Sequence, residues 1–342
     1  MPSFSRTLTL GIVFALVLHA MDLSAQGGTL LVDGARQEVK LVFYTSTGAP
    51  LALVKSAFEK RFPFITIELV TGTAVEVTKR FLGEFEKGVK SADVIALDQA
   101  ALFDILQKPE SLDWYLPRDS EWLAADLRDK DGRWASPSPQ FLVIAYNTRL
   151  VPKAEAPKSY QDLLDRKWSG KVGFALPTGA PEQAAIWKSM EKRFGGDFIR
   201  QLAAQQIEYL AAGTLSKLAT GEISIAANLT ADSVEAARLR GDPVDWARMD
   251  DTTYFANLSW MGMAPNPPHP NAARLWIGFW FSKQGQQALA DGGNVVSMPG
   301  IRLSHPDLAI QGKKLIQLEH VADAERDAFL KSFSAKYGLT LP

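Results

Sequence analysis

The sequence predicts an α/β fold made of two lobes, and three observations support this. Apolar runs with strand character alternate with amphipathic helical segments, which is typical of parallel sheets with right-handed crossovers. The run Phe141–Tyr146 is apolar throughout and ends in turn formers, as expected for a strand buried on both faces. A second largely apolar run, Tyr254–Met263, follows another set of alternating segments. We interpret the two runs as crossings between two lobes, with the ligand site expected in the cleft between them.

The first lobe is predicted from three strands that are separated by helices. Glu38–Tyr44, Ile65–Val70 and Asp93–Leu97 have strand patterns, and each ends in a short polar loop that leads into a helix. These loops are Thr45–Thr47, Thr71–Thr73 and Asp98-Gln99.

The second lobe repeats this alternation. Val172–Leu176, Ile207–Leu210 and Ile223–Ala227 are predicted strands, again followed by small polar loops and helices. These loops contain Thr178-Gly179, Gly213-Thr214 and Asn228–Thr230.

We therefore divide the chain into a signal peptide and two lobes. The first lobe is predicted over 38–145 together with about 258–342, which includes the C-terminal helices, and the second over 146–257. The hinge is expected at the two crossings, Ala145–Thr148 and Phe255–Leu258.

The N-terminus has the pattern of a secretory signal peptide over residues 1–25. Arg6 precedes the apolar run Leu8–Leu18, and Leu23-Ser24-Ala25 before Gln26 is typical of a signal peptidase site. The alternative is a membrane anchor, but the run is shorter than the ~20 residues that a spanning helix needs. We expect a mature chain that is exported to the periplasm.

Composition excludes several classes of partner and chemistry. A formal net charge of -1 gives no long-range field that would attract nucleic acid or an anionic membrane. The chain has no cysteine, which excludes disulfides, thiol nucleophiles and cysteine-based zinc sites. With 342 residues, of which 46% are hydrophobic, the chain is long enough for two cores.

Catalytic motifs are absent from the sequence. The histidines beyond the signal peptide, His269, His305 and His320, are not spaced as metal ligands, and no phosphate-binding glycine loop or nucleophile elbow occurs. We expect no enzyme activity, no metal and no cofactor. Two alternatives remain open: an exported hydrolase with a carboxylate pair in the cleft, and a chemosensory or structural module.

The polar loops provide the candidate ligand contacts, because strand ends of a parallel sheet meet at one edge. The candidates are Thr45, Ser46, Thr47, Thr71, Thr73, Asp98, Thr178, Gly179, Thr214, Asn228, Thr230 and Tyr254. Donors near helix N-termini favour an oxyanion, and Asp98 would accept from an amine or hydroxyl of the same solute. Helix capping is the alternative role for these residues, and a neutral polyol would also satisfy the hydroxyl groups.

Several motifs in order give the chain a family resemblance. They are Val42–Ser46, Ser91–Val94, Asp126–Trp134, Val143–Thr148, Ala156–Ser159, Lys167–Lys171, Gly221-Glu222, Pro265–Ala273 and Ser282–Gln286. With these motifs the chain resembles the solute-binding proteins of ABC importers, in the class that contains the ferric-iron-binding proteins. The resemblance implies a type II periplasmic-binding-protein fold whose two α/β lobes, joined by a two-crossing hinge, close over one small solute. It also implies a monomer that docks on a membrane permease with its ATPase.

One departure from the ferric-binding pattern bears on the solute. Those proteins carry adjacent tyrosines after the strand that corresponds to Ile223–Ala227, whereas this chain has Asn228-Leu229-Thr230-Ala231 there. The loop Thr45–Gly48 also lacks the histidine that some of them use. We therefore expect a small polar and anionic solute, such as a phosphonate, a phosphorylated metabolite or a carboxylate, with ferric iron as the alternative.

Overall fold

The computed structural model describes residues 28–46, 49–117, 120, 122–176, 180–210, 212–321 and 323–339. The signal peptide predicted over 1–25 lies outside these residues, as do the candidate site residues Thr47, Thr178 and Gly179. None of the helices in the described ranges is long and apolar enough to cross a membrane.

Strands and helices alternate along the described chain as the sequence predicts. The strands are β1 (Lys40–Thr45), β2 (Thr66–Thr71), β3 (Val94–Asp98), β4 (Pro139–Asn147), β5 (Val172–Ala175), β6 (Glu208–Leu210), β7 (Ile225–Thr230), β8 (Val244–Trp246), β9 (Thr253–Met263) and β10 (Lys314–Gln317). The helices are α1 (28–38), α2 (Ala49–Arg61), α3 (Ala74–Glu86), α4 (Gln99–Leu106), α5 (Ala180–Ala203), α6 (Thr214–Thr220), α7 (Ala231–Leu239), α8 (Pro270–Trp280), α9 (Lys283–Asp291) and α10 (Asp323–Tyr337).

The strands form two parallel blocks that are joined by β4 and β9. The order is β2-β1-β3-β9-β4-β7-β5-β6, with β8 added to β4 and β10 added to β9. Within the blocks, β1 is parallel to β2 and β3, and β5 is parallel to β6 and β7. At the junction, β9 runs antiparallel to β3 and β4. The carboxyl ends of β1, β2 and β3 therefore lie at one edge, next to the two joining strands.

The two long apolar runs are the joining strands, but the first changes partner earlier than expected. β4 pairs with β9 over Pro139–Phe141 and then with β7 and β8 over Leu142–Asn147. The expected crossing at Ala145–Thr148 thus falls where β4 already pairs within the second block. The run is buried from end to end, so its composition does not mark the point where its partner changes. In β9 the junction with β4 lies at Ala256–Leu258, which coincides with the expected second crossing.

Each block packs around its own aromatic core. In the first, Trp276 of α8 makes edge-to-face contacts with Phe43 and Phe58, with ring centroids 5.4 and 5.0 Å apart. In the second, Phe174 stacks on Trp187 of α5 with the ring centroids 5.3 Å apart. Such pairs add about 0.5–1.5 kcal/mol each beyond the burial of their area.

The C-terminal segment packs differently from the prediction that grouped 258–342 with the first lobe. Phe333 of α10 lies 5.3 Å from Trp187, ring centroid to ring centroid, and Tyr337 donates a hydrogen bond to Glu191 of α5. The preceding strand β10 pairs with the first residues of β9. The tail therefore completes the second core, because its apolar face meets α5 rather than α8 or α9.

Candidate functional site

A cavity of about 330 Å3 opens where the ends of β1, β2 and β3 meet the joining strands β4 and β9. It lies at the carboxyl edge of a parallel block, where ligands bind in folds of this type. Its described lining residues are Ser46, Gly72, Thr73, Ala74, Ala96, Asp98, Pro137, Ser138, Gln140, Asn257, Leu258, Ser259, Met261 and Trp280.

The N-terminus of α3 forms one wall, and a capping box holds it in place. The Thr73 hydroxyl accepts a hydrogen bond from the Glu76 backbone N–H, with 3.3 Å between Oγ1 and N. In return the Glu76 carboxylate accepts from the Thr73 backbone N–H at 2.8 Å and from its hydroxyl at 2.9 Å. These bonds to Thr73 lower the pKa of Glu76. The hydroxyl that the sequence offers as a ligand contact thus also caps its own helix.

Asp98 is the only carboxylate residue among the described lining residues. It ends β3 and caps α4, and its Oδ1 accepts from the Ala101 backbone N–H at 3.0 Å. Loss of solvent raises the pKa of Asp98, and the backbone hydrogen bonds at the helix start oppose that shift. No lysine, arginine or histidine is among the lining residues that the structure describes. The cavity therefore has an acceptor that no cation among its described lining residues neutralises.

Polar side chains on β4 and β9 form the floor. Gln140 and Asn257 stand opposite each other in the antiparallel pairing of these strands. On either side, Ser138 donates to the Val295 carbonyl at 2.6 Å and Ser259 donates to the Leu97 carbonyl at 3.4 Å. Gln140 and Asn257 therefore place two amides side by side on the floor of the cavity.

Gln140 links this floor to the second lobe. Its Nε2 donates to Oδ2 of Asp232 on α7 at 3.0 Å. The other carboxylate oxygen, Oδ1, accepts from the Ser233 backbone N–H at 3.0 Å. Loss of solvent raises the pKa of Asp232, while hydrogen bonds from Thr230, Ser233 and Gln140 oppose the shift. Asp232 is thus connected to the cavity through the Gln140 side chain.

The predicted site residues that the structure describes fall into three groups. Ser46, Thr73 and Asp98 line the cavity. Thr71 is exposed at the end of β2 beside the lining residue Gly72, and Thr230 lies next to the Asp232 carboxylate. These residues surround the cavity or support it.

The remaining described candidates, Thr45, Thr214, Asn228 and Tyr254, are buried and do not line the cavity. Thr45 is fully buried in β1, and the Thr214 methyl group lies against Gly173 of β5. Asn228 accepts from the Tyr160 hydroxyl at 2.6 Å, and the Tyr254 hydroxyl accepts from the Met249 backbone N–H at 3.0 Å. These side chains are packed inside the lobes, and among them the Asn228 Nδ2 is buried without a hydrogen-bond partner in the described part of the chain.

Sequence reasoning missed the lining residues on the joining strands and on α8. These are Gln140 of β4, Asn257, Leu258, Ser259 and Met261 of β9, and Trp280 of α8, together with Ser138 directly before β4. The sequence contains a signal for the two amide side chains. Gln140 directly precedes an apolar run, and Asn257 interrupts another. A polar residue inside a buried strand needs a partner or faces a cavity.

The tyrosines of the chain are all described, and none lines the cavity. Burial raises the pKa of Tyr146 to about 12 and also raises the pKa of Tyr160 and Tyr209. Among the described residues, no group of three or more histidines and carboxylates is placed to hold a metal ion. Phenolate ligands for a hard ferric ion are therefore missing from the described walls of this site.

Two lobes joined by paired strands, with a polar cleft at the junction, define a type II periplasmic-binding-protein fold. A family model described as bacterial extracellular solute-binding protein matches residues 90–311. The chain therefore belongs to this family, whose members bind solutes and are not enzymes. Within it the chain is a ferric-binding-protein-like substrate-binding protein of an ABC transporter.

Named relatives show a range of cargo within this fold. The Fe(3+)-binding periplasmic protein of Serratia marcescens is 23% identical over 234 residues, which are 64% of this chain and 69% of that protein. The substrate-binding protein of an ABC transporter from Agrobacterium tumefaciens aligns with a TM-score of 0.70 at 16% identity, covering 87% of this chain and 94% of that one. AfuA from Actinobacillus pleuropneumoniae, with fructose-6-phosphate bound, aligns with a TM-score of 0.64 at 16% identity, covering 88% and 99%.

Proposed function

We propose that this substrate-binding protein captures a small polar organic solute in the cavity at the β4–β9 junction and delivers it to a membrane permease with its ATPase. The observation that carries the proposal is the position of the cavity. Its walls come from the ends of β1 and β3 and from the start of α3, and its floor comes from the two strands that join the lobes. A solute bound there touches the hinge itself, so binding and lobe closure are coupled.

The proposal places the mature protein in the periplasm as a monomer. The sequence pattern of residues 1–25 supports export with a cleaved leader. N-terminal sequencing of the exported protein is expected to begin at or near Gln26. Recovery of an uncleaved chain from the cytoplasm would contradict this part of the proposal.

Ferric iron is supported less well than an organic solute. The Serratia relative is named for iron, but no tyrosine of this chain lines the cavity. A charge-transfer band on addition of ferric citrate would show phenolate ligation and would overturn the choice of an organic solute.

Two features of the cavity have opposite effects on the binding of the anionic solute that the loop sequences predict. The N-terminus of α3 at the cavity favours an oxyanion through its free backbone N–H groups. Asp98 on the same cavity opposes one, since a like charge nearby disfavours binding. A zwitterion such as an aminophosphonate would satisfy both features.

A blocked variant tests the location of the site. Ala74 lines the cavity in the first turn of α3, whereas its neighbour Val75 is exposed and does not. A panel of polyols, amines, phosphonates, phosphate esters, carboxylates and ferric salts is screened by thermal shift. A ligand at a hundred times its dissociation constant stabilises the protein by roughly 2.7 kcal/mol. We expect Ala74→Trp to abolish the shift that Val75→Trp retains.

Equal shifts in both variants would show that the solute binds elsewhere. Chemically unchanged recovery of the bound compound after incubation is expected for a transport protein. Its conversion to a product would favour the exported-hydrolase alternative.

A further inference from the structure

We propose that the cleft selects a solute with hydrogen-bond donors, which are hydroxyl or ammonium groups that bind to Asp98 and Gln140. Asp232 sets this selectivity because it orients the Gln140 amide. The inference rests on the proposed function, since it concerns the solute of the same cavity. It differs from the anionic solute that the loop sequences favour.

The Gln140 amide is held in one orientation by its hydrogen bond to Asp232. The Gln140 Nε2 donates to Oδ2 of Asp232 at 3.0 Å, so the NH2 end of the amide is turned toward Asp232. No described residue donates to the other end of the amide, Oε1, and the Gln140 side chain lines the cavity. The amide therefore presents its carbonyl oxygen to a solute, and a donor is the group that satisfies it.

Asp98 supplies the second acceptor. The helix cap to Ala101 uses Oδ1 and fixes the carboxylate at the end of β3. No described side chain donates to Asp98, and its pKa is raised by the loss of solvent that this position imposes. A hydroxyl or ammonium group of the solute would supply the partner that the ionised carboxylate lacks.

The charge balance of the described walls also disfavours an oxyanion. A phosphate or sulfate would lose its hydration close to Asp98, with Asp232 one hydrogen bond behind Gln140 and no lining cation to compensate. A polyol loses less hydration energy, and an ammonium group gains from both carboxylates.

Asp232 acts here as a positioning residue, which makes the selectivity testable by isosteric variants. In Asp232→Asn the new side chain is able to donate to Gln140 Oε1 or accept from Nε2, so the amide orientation is no longer fixed. Asp98→Asn removes the direct acceptor charge while asparagine still caps α4. Asp197→Asn serves as the matched control, because Asp197 is exposed on α5 and pairs with Arg200.

The experiment compares two groups of probes by thermal shift and calorimetry. The donor probes are myo-inositol, glucose, ethanolamine and spermidine, and the anion probes are inorganic phosphate, sulfate and citrate. We expect at least one donor probe to bind the natural protein, with affinity lowered about 10-fold or more in Asp98→Asn and Asp232→Asn and unchanged in Asp197→Asn. The ligand-free melting temperature of both cleft variants is expected not to fall, which separates lost selectivity from lost folding.

Three results would overturn the inference: binding of anion probes alone, binding of no donor probe, or undiminished donor binding in Asp232→Asn. The blocked variant Ala74→Trp separates these failures from failure of the proposed site. Anion binding that Ala74→Trp abolishes would leave the site in place and remove only the donor selectivity. Donor binding that survives Ala74→Trp would show that the site itself is elsewhere.

Discussion

Asp98 and Asp232 both lose solvent on folding, and no described cation pairs with either of them. Their raised pKa values mean that the folded chain holds these protons more tightly than the unfolded chain does. Stability is therefore lost as the pH rises from the ordinary aspartate value of 3.8 through the raised values. Ionisation of either buried carboxyl therefore costs stability.

We expect Asp98→Asn and Asp232→Asn to stabilise the ligand-free protein at pH 7 by roughly 0.5–2 kcal/mol each. The gain should shrink as the pH falls through the raised pKa values toward the ordinary aspartate value of 3.8, because the natural carboxyl groups take up protons over that range. Urea unfolding of each variant between pH 4 and pH 8 measures this, with Asp197→Asn as the exposed control. A loss of stability at pH 7 in the cleft variants alone would contradict the expected sign.

At the scale of elements, α10 completes the second core by packing on α5. Phe333 is 3% exposed and lies against Trp187, and the Lys336 ammonium pairs with Glu191 at 2.7 Å between Nζ and Oε1. The buried aromatic contact contributes most of the stabilisation, since an exposed ion pair is worth at most about 1 kcal/mol.

Truncating the Phe333 side chain should therefore weaken the second lobe. We expect Phe333→Ala to lower the free energy of unfolding by about 3–5 kcal/mol, because it leaves a cavity beside Trp187. The matched control is Lys331→Ala on the exposed face of α10, where a change within about 0.5 kcal/mol is expected. Denaturant unfolding followed by tryptophan fluorescence reports both. Equal losses in the two variants would mean that α10 is not packed as described.

At the scale of the whole molecule, β4 and β9 join the two blocks of strands, so the proposed closure of the lobes would bend them. Phe141 of β4 and Tyr254 of β9 pack edge to face at 5.1 Å between ring centroids. The Lys313 ammonium lies over both rings, 5.2 Å from the centroid of Phe141 and 5.8 Å from that of Tyr254. Loss of solvent at this place lowers the pKa of Lys313. These contacts hold β4 and β9 together directly beside the lining residue Gln140.

A solute in the cavity should therefore bring the lobes together. We expect the radius of gyration from small-angle scattering to decrease when the strongest ligand of the thermal-shift panel is added at saturation. Ala74→Trp should show no such decrease, while Val75→Trp should behave like the natural protein. An unchanged radius under saturating ligand in the natural protein would contradict hinge closure.

The sequence by itself determined the class of fold and the edge at which the cavity lies. Alternating strands and helices require parallel blocks, and the carboxyl ends of parallel strands meet at one edge, which is where Ser46, Thr73 and Asp98 line the cavity. These are local signals, because strand period, helix period and turn chemistry are written into neighbouring residues.

Only the tertiary structure decided which amides form the floor, where β4 changes partner and which core receives α10. Gln140 and Asp232 are 92 positions apart, and nothing near either residue indicates that they meet. The same holds for Phe333 and Trp187, which belong to helices far apart in the chain. Contacts of this kind depend on how amphipathic faces pair in space, and each apolar face in the sequence is compatible with several partners.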